Sequence, residues 1–140
     1  MVEIREIGLN ELHSAYPVVS QLRKHLSIDD FVELVTKMME SGYKAFCLFE
    51  NGEIVSYAGI AILINLYYGR HIWVYELVVD EKKRGNGYGK QMLSHIEQYA
   101  KNNGINCIAL SSGLEKKEAH MFYEMGMDYK KTSNVFKKML

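Results

Sequence analysis

Arg84-Gly85-Asn86-Gly87-Tyr88-Gly89-Lys90 stands between an apolar run, Ile72 to Val79, and an amphipathic stretch, Lys90 to Asn103. Strand, glycine-rich turn and helix start follow one another there. The first backbone N–H groups of a helix lack intrahelical partners and carry the positive end of the macrodipole, so they bind phosphate without a dedicated side chain. Glycines let the backbone approach the ligand and adopt positive φ. The stretch reads as a pyrophosphate cradle.

Two common nucleotide cradles fail on spacing. A Walker loop requires Gly, four residues, Gly, Lys and a hydroxyl residue; counting back from Gly89-Lys90 puts Arg84 at the first glycine and Gln91 at the hydroxyl. A dinucleotide fingerprint begun at Gly85 or Gly87 requires glycine at Lys90 or Met92. The pattern that fits is Arg-x-x-Gly-x-Gly, Arg84 to Gly89.

Composition leaves room for a core around this turn. The chain has 140 residues, 48% of them hydrophobic, which suits a single globular domain over residues 1–140. Seventeen basic residues balance seventeen acidic ones, which argues against a nucleic-acid-binding or polybasic membrane surface. Met1-Val2-Glu3-Ile4-Arg5 lacks the charged-then-apolar pattern of a signal peptide, and no apolar run approaches a membrane span, so a cytoplasmic location is expected. Cys47 and Cys107 lie far apart within apolar runs and read as buried reduced thiols; no metal site is expected.

Outward from the turn, hydrophobic periodicity supplies the elements. Val2 to Ile7 alternates as a strand and Gly8 closes it. Leu12, Ala15, Val19, Leu22 and Leu26 have helical spacing, with a kink or restart expected at Pro17. Ser27-Ile28-Asp29-Asp30 caps a second helix that carries Phe31, Leu34, Val35, Met38 and Met39 on one face and stops at Gly42. Lys44 to Phe49 and Ile54 to Leu66 flank Asn51-Gly52 as a hairpin, and His71 to Val79 adds a third strand after the turn Tyr67 to Arg70. Met92, Leu93, Ile96 and Ala100 mark a helix ended by Gly104, and Asn106 to Leu110 a short strand. Glu115 to Met125 reads as a final helix stopped by Gly126. One or two last strands are expected between Met127 and Leu140, with Lys130, Lys131, Lys137 and Lys138 on a solvated edge.

The order β, α, α, β, β, β, α, β, α, β, the motif Arg84 to Gly89, and Ala119-His120-Met121-Phe122-Tyr123 as Ala-x-x-Phe-Tyr together resemble the GNAT superfamily of N-acetyltransferases over nearly the whole chain. Two departures stand out. Two residues, Glu124 and Met125, separate Phe122-Tyr123 from Gly126-Met127 where the family has three, and Lys116 occupies a position often held by asparagine. The resemblance implies an α/β (α+β) fold: a mixed, mostly antiparallel sheet with helices on both faces, splayed between its fourth and fifth strands. It implies acetyl-coenzyme A as cosubstrate without a metal, and acetyl transfer to a primary amine by direct attack in a ternary complex. A catalytically weak acyl-coenzyme A sensing module, or an acetyltransferase acting on protein or peptide amines, is the alternative.

Carried onto this sequence, Arg84, Gly85, Asn86, Gly87, Tyr88, Gly89 and Lys90 would hold the pyrophosphate. Leu77, Val78 and Val79 would pair with the pantetheine, and Phe122 and Tyr123 would lie near its sulfur. A backbone N–H of Val78 or Val79 would polarise the thioester, and the Tyr123 phenol would serve as general acid. Glu76 is the only acid on the strand leading into the cradle; it or a water chain would act as base. Trp73, Tyr75 and Glu76 are candidates to line the acceptor site, although aromatics in a meander are commonly packing. Strict alternation puts Ile72, Val74, Glu76 and Val78 on one face and Trp73, Tyr75 and Leu77 on the other. No motif selects the acceptor. Relatives pair through sheets or terminal strands, so a homodimer is compatible with the resemblance.

Overall fold

The alternation of Val2–Ile7 forms strand β1 in the computed structural model, which describes residues 1–140. A 3₁₀ turn over Leu9–Glu11 leads into helix α1, Leu12–Leu22. This helix runs through Pro17 rather than restarting, because burial of Leu12, Ala15, Val18 and Val19 outweighs the one hydrogen bond that proline removes. Helix α2, Ile28–Glu40, begins as its sequence predicts: the Ser27 hydroxyl accepts the Asp30 N–H at 3.1 Å, and Asp29 and Asp30 occupy the first turn.

Strands β2, Lys44–Glu50, and β3, Glu53–Asn65, are joined by Asn51 and Gly52 at φ 50° and 84°, the paired positive values of a tight hairpin turn. Strand β4, Gly69–Val79, continues the antiparallel meander. The cradle then opens helix α3, Tyr88–Asn102, and the chain returns as strand β5, Ile108–Leu110. Sheet order is β1-β2-β3-β4-β5.

Register assigns the two faces of the sheet. Ala45 opposes Gly59, and Cys47 opposes Tyr57, which opposes Val78; this face packs against α1 and α2 through Leu12, Ala15, Val19, Phe31 and Val35. The opposite face carries Phe46, whose ring meets His95 and Tyr99 of α3 at 5.5 Å. Helices therefore cover both sides of the sheet.

Strict alternation fails in β4. Ile60 pairs with Val74 while Gly59 pairs with Glu76, leaving Tyr75 as an extra residue in a β-bulge. Beyond the bulge the faces exchange. Glu76 and Val78 join Trp73 on the α1/α2 side, and Leu77 and Val79 join Ile72 and Val74 on the other. Tyr75 leans toward the same side as Glu76, its ring 5.5 Å from that of Tyr43.

The chain divides into two compact units, Met1–Ala109 and Leu110–Leu140. In the second, helix α4 spans only Lys117–Met121 and continues as a π-helical turn over Phe122–Gly126, in place of the uniform helix expected from Glu115 to Met125. The final strands expected between Met127 and Leu140 are absent. Asp128 sits at φ 62°, which interrupts an extended run, and the paired lysines break the two-residue alternation a half-buried strand requires. Residues 130–140, the four lysines included, are exposed.

Candidate active site

The cradle is built from backbone. Gly85 and Gly87 lie at φ 85° and 78°, where a side chain is strained, and open space lies in front of both. Gly87 is the N-cap of α3 and no side chain caps that helix start. The first N–H groups of α3, from Tyr88, Gly89 and Lys90, precede the first intrahelical bond, Gln91 N–H to the Gly87 carbonyl at 3.0 Å. Unclaimed donors, a helix dipole and room for an anion fit a pyrophosphate.

Side chains of the cradle hold its shape. Asn86 donates to the Lys83 carbonyl at 2.8 Å, and Arg84 Nε donates to the Val79 carbonyl at 3.3 Å. The Tyr88 phenol is buried and donates to Glu50, which also takes Lys83 Nζ at 2.6 Å. Tyr88 therefore offers an incoming anion its N–H and not its phenol, while Lys90 is exposed. Two links tie the turn to the sheet and to α1. Asp80 N–H donates to the carbonyl of Val55, the extra residue of a bulge between β2 and β3. The Gln21 side chain of α1 donates to Asp80 at 3.3 Å and accepts the Glu81 N–H at 2.9 Å.

Leu77, Val78 and Val79 lie at the end of β4 that enters the cradle. Ile72 N–H donates to the Cys107 carbonyl, so the three residues of β5 run out before Leu77. The outer edge of β4 at Leu77–Val79 has no strand partner. Such an edge presents unpaired N–H and C=O groups to an extended ligand.

Immediately before this edge lies a buried polar cluster. Glu76 Oε1 accepts the Tyr43 hydroxyl at 2.5 Å, and the hydroxyls of Tyr43 and Tyr57 lie 2.7 Å apart. Burial lifts the Glu76 carboxyl above its ordinary range, opposed by the Tyr43 hydrogen bond and the nearby Arg23 charge. Burial first, then neighbouring charge, also raises the Tyr43 phenol well above its ordinary value, so it stays protonated and donates. Arg23 itself donates to the Tyr75 carbonyl at 2.9 Å. Gly59, opposite Glu76, makes room for the cluster: a Cβ there would overlap both the Tyr43 hydroxyl and a Glu76 oxygen.

Glu76 and Tyr43 open onto a cavity of about 230 Å³ between β4 and the first two helices. Its walls are Val19, Leu26, Phe31, Leu34, Val35 and Met38, with Arg23 and His25 the remaining polar residues. Trp73 and Tyr75 are half-buried beside the bulge and do not line this cavity. Tyr43, Arg23 and Gly59 escaped the sequence reading, although an isolated glycine within a strand run marks a bulge or a close approach.

In the second unit, Phe122 and Tyr123 begin the π turn, their rings 5.3 Å apart, and Tyr123 meets the Tyr129 ring at 5.9 Å. Burial raises the Tyr123 phenol to about 12, so it is protonated at neutral pH. Cys47 and Cys107 are both free thiols, and burial lifts that of Cys47 to about 12. No group of three or more His, Cys, Asp or Glu side chains is placed to hold a metal, and no helix is long and apolar enough to cross a membrane.

This architecture is that of the N-acetyltransferases: the crystal structure of the aminoglycoside N-acetyltransferase AAC(6')-Iy in complex with CoA superimposes with a TM-score of 0.87, covering 100% of this chain and 95% of that one at 15% identity. The chain matches the acetyltransferase (GNAT) family over residues 8–127 and belongs to that family. It is 31% identical over 140 residues to the uncharacterized N-acetyltransferase YhdJ of Bacillus subtilis, covering 99% of each protein. It is 27% identical over 148 residues to the aminoalkylphosphonate N-acetyltransferase of Salmonella typhimurium, covering 99% of this chain and 91% of the relative. Enzymes of this family are acetyl-coenzyme A-dependent acyltransferases.

Proposed function

We propose that the protein acetylates a primary amine by direct attack in a ternary complex, with the amine held in the cavity beneath α1 and α2 and Glu76 taking the ammonium proton. Acetyl-coenzyme A supplies an activated acyl carbonyl and a thiolate leaving group. The observation that carries this reading is a half-buried carboxylate, raised above its ordinary range, at the junction of the cavity and the open edge of β4. A carboxylate is a stronger base when its pKa is raised, and one hydrogen-bonded on Oε1 by Tyr43 is held in a fixed orientation.

The remaining roles follow the chain. Arg84, Gly85, Asn86, Gly87, Tyr88, Gly89 and Lys90 form the pyrophosphate seat, mainly through α3 backbone N–H groups. Leu77, Val78 and Val79 offer an edge to the pantetheine, where an N–H of Val78 or Val79 would polarise the carbonyl. Trp73 and Tyr75 lie on the same side of the sheet as Glu76 but outside the cavity. Phe122 and Tyr123 are assigned to the sulfur end on the family motif. A phenol at about 12 is a weaker acid than an ordinary thiol near 8.5, so Tyr123 serves the departing sulfur chiefly as a hydrogen-bond donor.

Calorimetry with acetyl-coenzyme A, followed by thiol-release assays across amines, tests the reading. Glu76→Gln keeps the side-chain shape, and kcat is expected to fall roughly 100-fold or more while acetyl-coenzyme A affinity holds. Tight coenzyme binding without turnover on any amine would instead identify a sensing module.

A further inference from the structure

We infer that the acceptor is a monoamine on an apolar body, an alkyl- or arylalkylamine, and not a polyamine or a polyhydroxylated amine. The inference rests on the proposed amine acetylation and narrows its substrate class. Two observations within the first unit carry it. The cavity has one carboxylate, Glu76, and therefore a counter-charge for one ammonium group. Val19, Leu26, Phe31, Leu34, Val35 and Met38 offer no side-chain hydrogen bond to a sugar hydroxyl or a second amine, and burying those groups unpaired is unfavourable.

Size agrees with this chemistry. A volume of about 230 Å³ equals roughly eight waters at about 30 Å³ each, enough for a short alkyl chain or one aromatic ring with its linker. Leu34, 47% exposed, stands at the mouth, whereas Phe31 and Val35 are buried in the floor. An apolar acceptor would cover the exposed side of Leu34 as it enters, a contact that the free protein leaves to water.

The test uses the full chain with saturating acetyl-coenzyme A and reads thiol release for linear amines from ethylamine to hexylamine, then phenethylamine. Ethanolamine and a linear diamine are the comparison set. The expected result is a rise in kcat/KM of about fourfold per added methylene until the cavity is full, since each buried methylene contributes comparably. Leu34→Asp is expected to flatten that slope while leaving acetyl-coenzyme A affinity unchanged, and Met38→Ala to move the preferred chain length upward. A flat dependence on chain length, or a preference for the diamine or ethanolamine, would overturn the apolar-acceptor assignment alone. A slope untouched by Leu34→Asp and Met38→Ala would show that the cavity is not where the acceptor sits. Absence of turnover on every amine, with acetyl-coenzyme A bound, would overturn the acetylation reading and this one with it.

Discussion

Glu76 has two lives set by one environment. Removed from water, which outweighs the opposing hydrogen bond from Tyr43, its carboxyl holds a proton to higher pH than in the unfolded chain. A raised folded pKa means that its stabilising contribution is complete below the unfolded value and is lost as pH rises through the folded one. Catalysis has the opposite sign, because only the ionised form accepts a proton. The acid limb of kcat/KM is therefore expected above the ordinary carboxylate range and absent in Glu76→Gln, while the melting temperature of the wild type declines across the same interval. A pH-rate profile and a pH-melting profile recorded side by side check both signs. Gly59 supports this residue from across the strand pair. Gly59→Ala places a methyl into the Tyr43–Glu76 contact and is expected to destabilise by about 1–3 kcal/mol, with kcat falling alongside, as read by denaturant unfolding and turnover.

At the level of elements, the cradle was the most legible part of the molecule. Its glycines, its preceding strand and its following helix are local properties, and local chemistry determines them: Gly85 and Gly87 take the positive φ their spacing suggested. The hairpin at Asn51-Gly52 and the cap at Ser27 were legible for the same reason. What could not be read locally is the bulge at Tyr75, which arises from register against β3 and exchanges the faces of every later residue in β4. Strict alternation consequently set Glu76 apart from Trp73, and Tyr43, which lies far from Glu76 in sequence, gave no sign of being its partner. The carboxyl-terminal stretch misled through composition: apolar residues among lysines suggest an edge strand, but a strand requires a partner and an uninterrupted extended backbone. Gly87→Val tests the cradle. It is expected to weaken acetyl-coenzyme A binding at least tenfold while sparing kcat at saturation, whereas Tyr123→Phe is expected to lower kcat and spare affinity; titration calorimetry paired with saturation kinetics separates the two, and a reversed pattern would reassign both residues.

Across the whole molecule, the first unit supplies the sheet, three of the four helices, the cradle and the cavity, and the second carries Phe122 and Tyr123. Within the first unit, the proposed acceptor and coenzyme sites have a common structural member. Helix α1 furnishes Val19 to the cavity, and two residues later Gln21 grips both Asp80 and Glu81 at the entrance to the cradle. One helix therefore borders both proposed sites. A ligand that orders α1 from one end reduces what the other must spend on ordering it, and thermodynamic linkage makes that advantage equal in both directions. Coenzyme should tighten amine binding by the same factor that amine tightens coenzyme binding. Gln21→Ala cuts the connection without touching either ligand, so the factor is expected to fall toward one while each separate affinity changes little. Calorimetric titration of each ligand in the absence and presence of the other measures that factor, which decides whether the two substrates arrive in preferred order or independently.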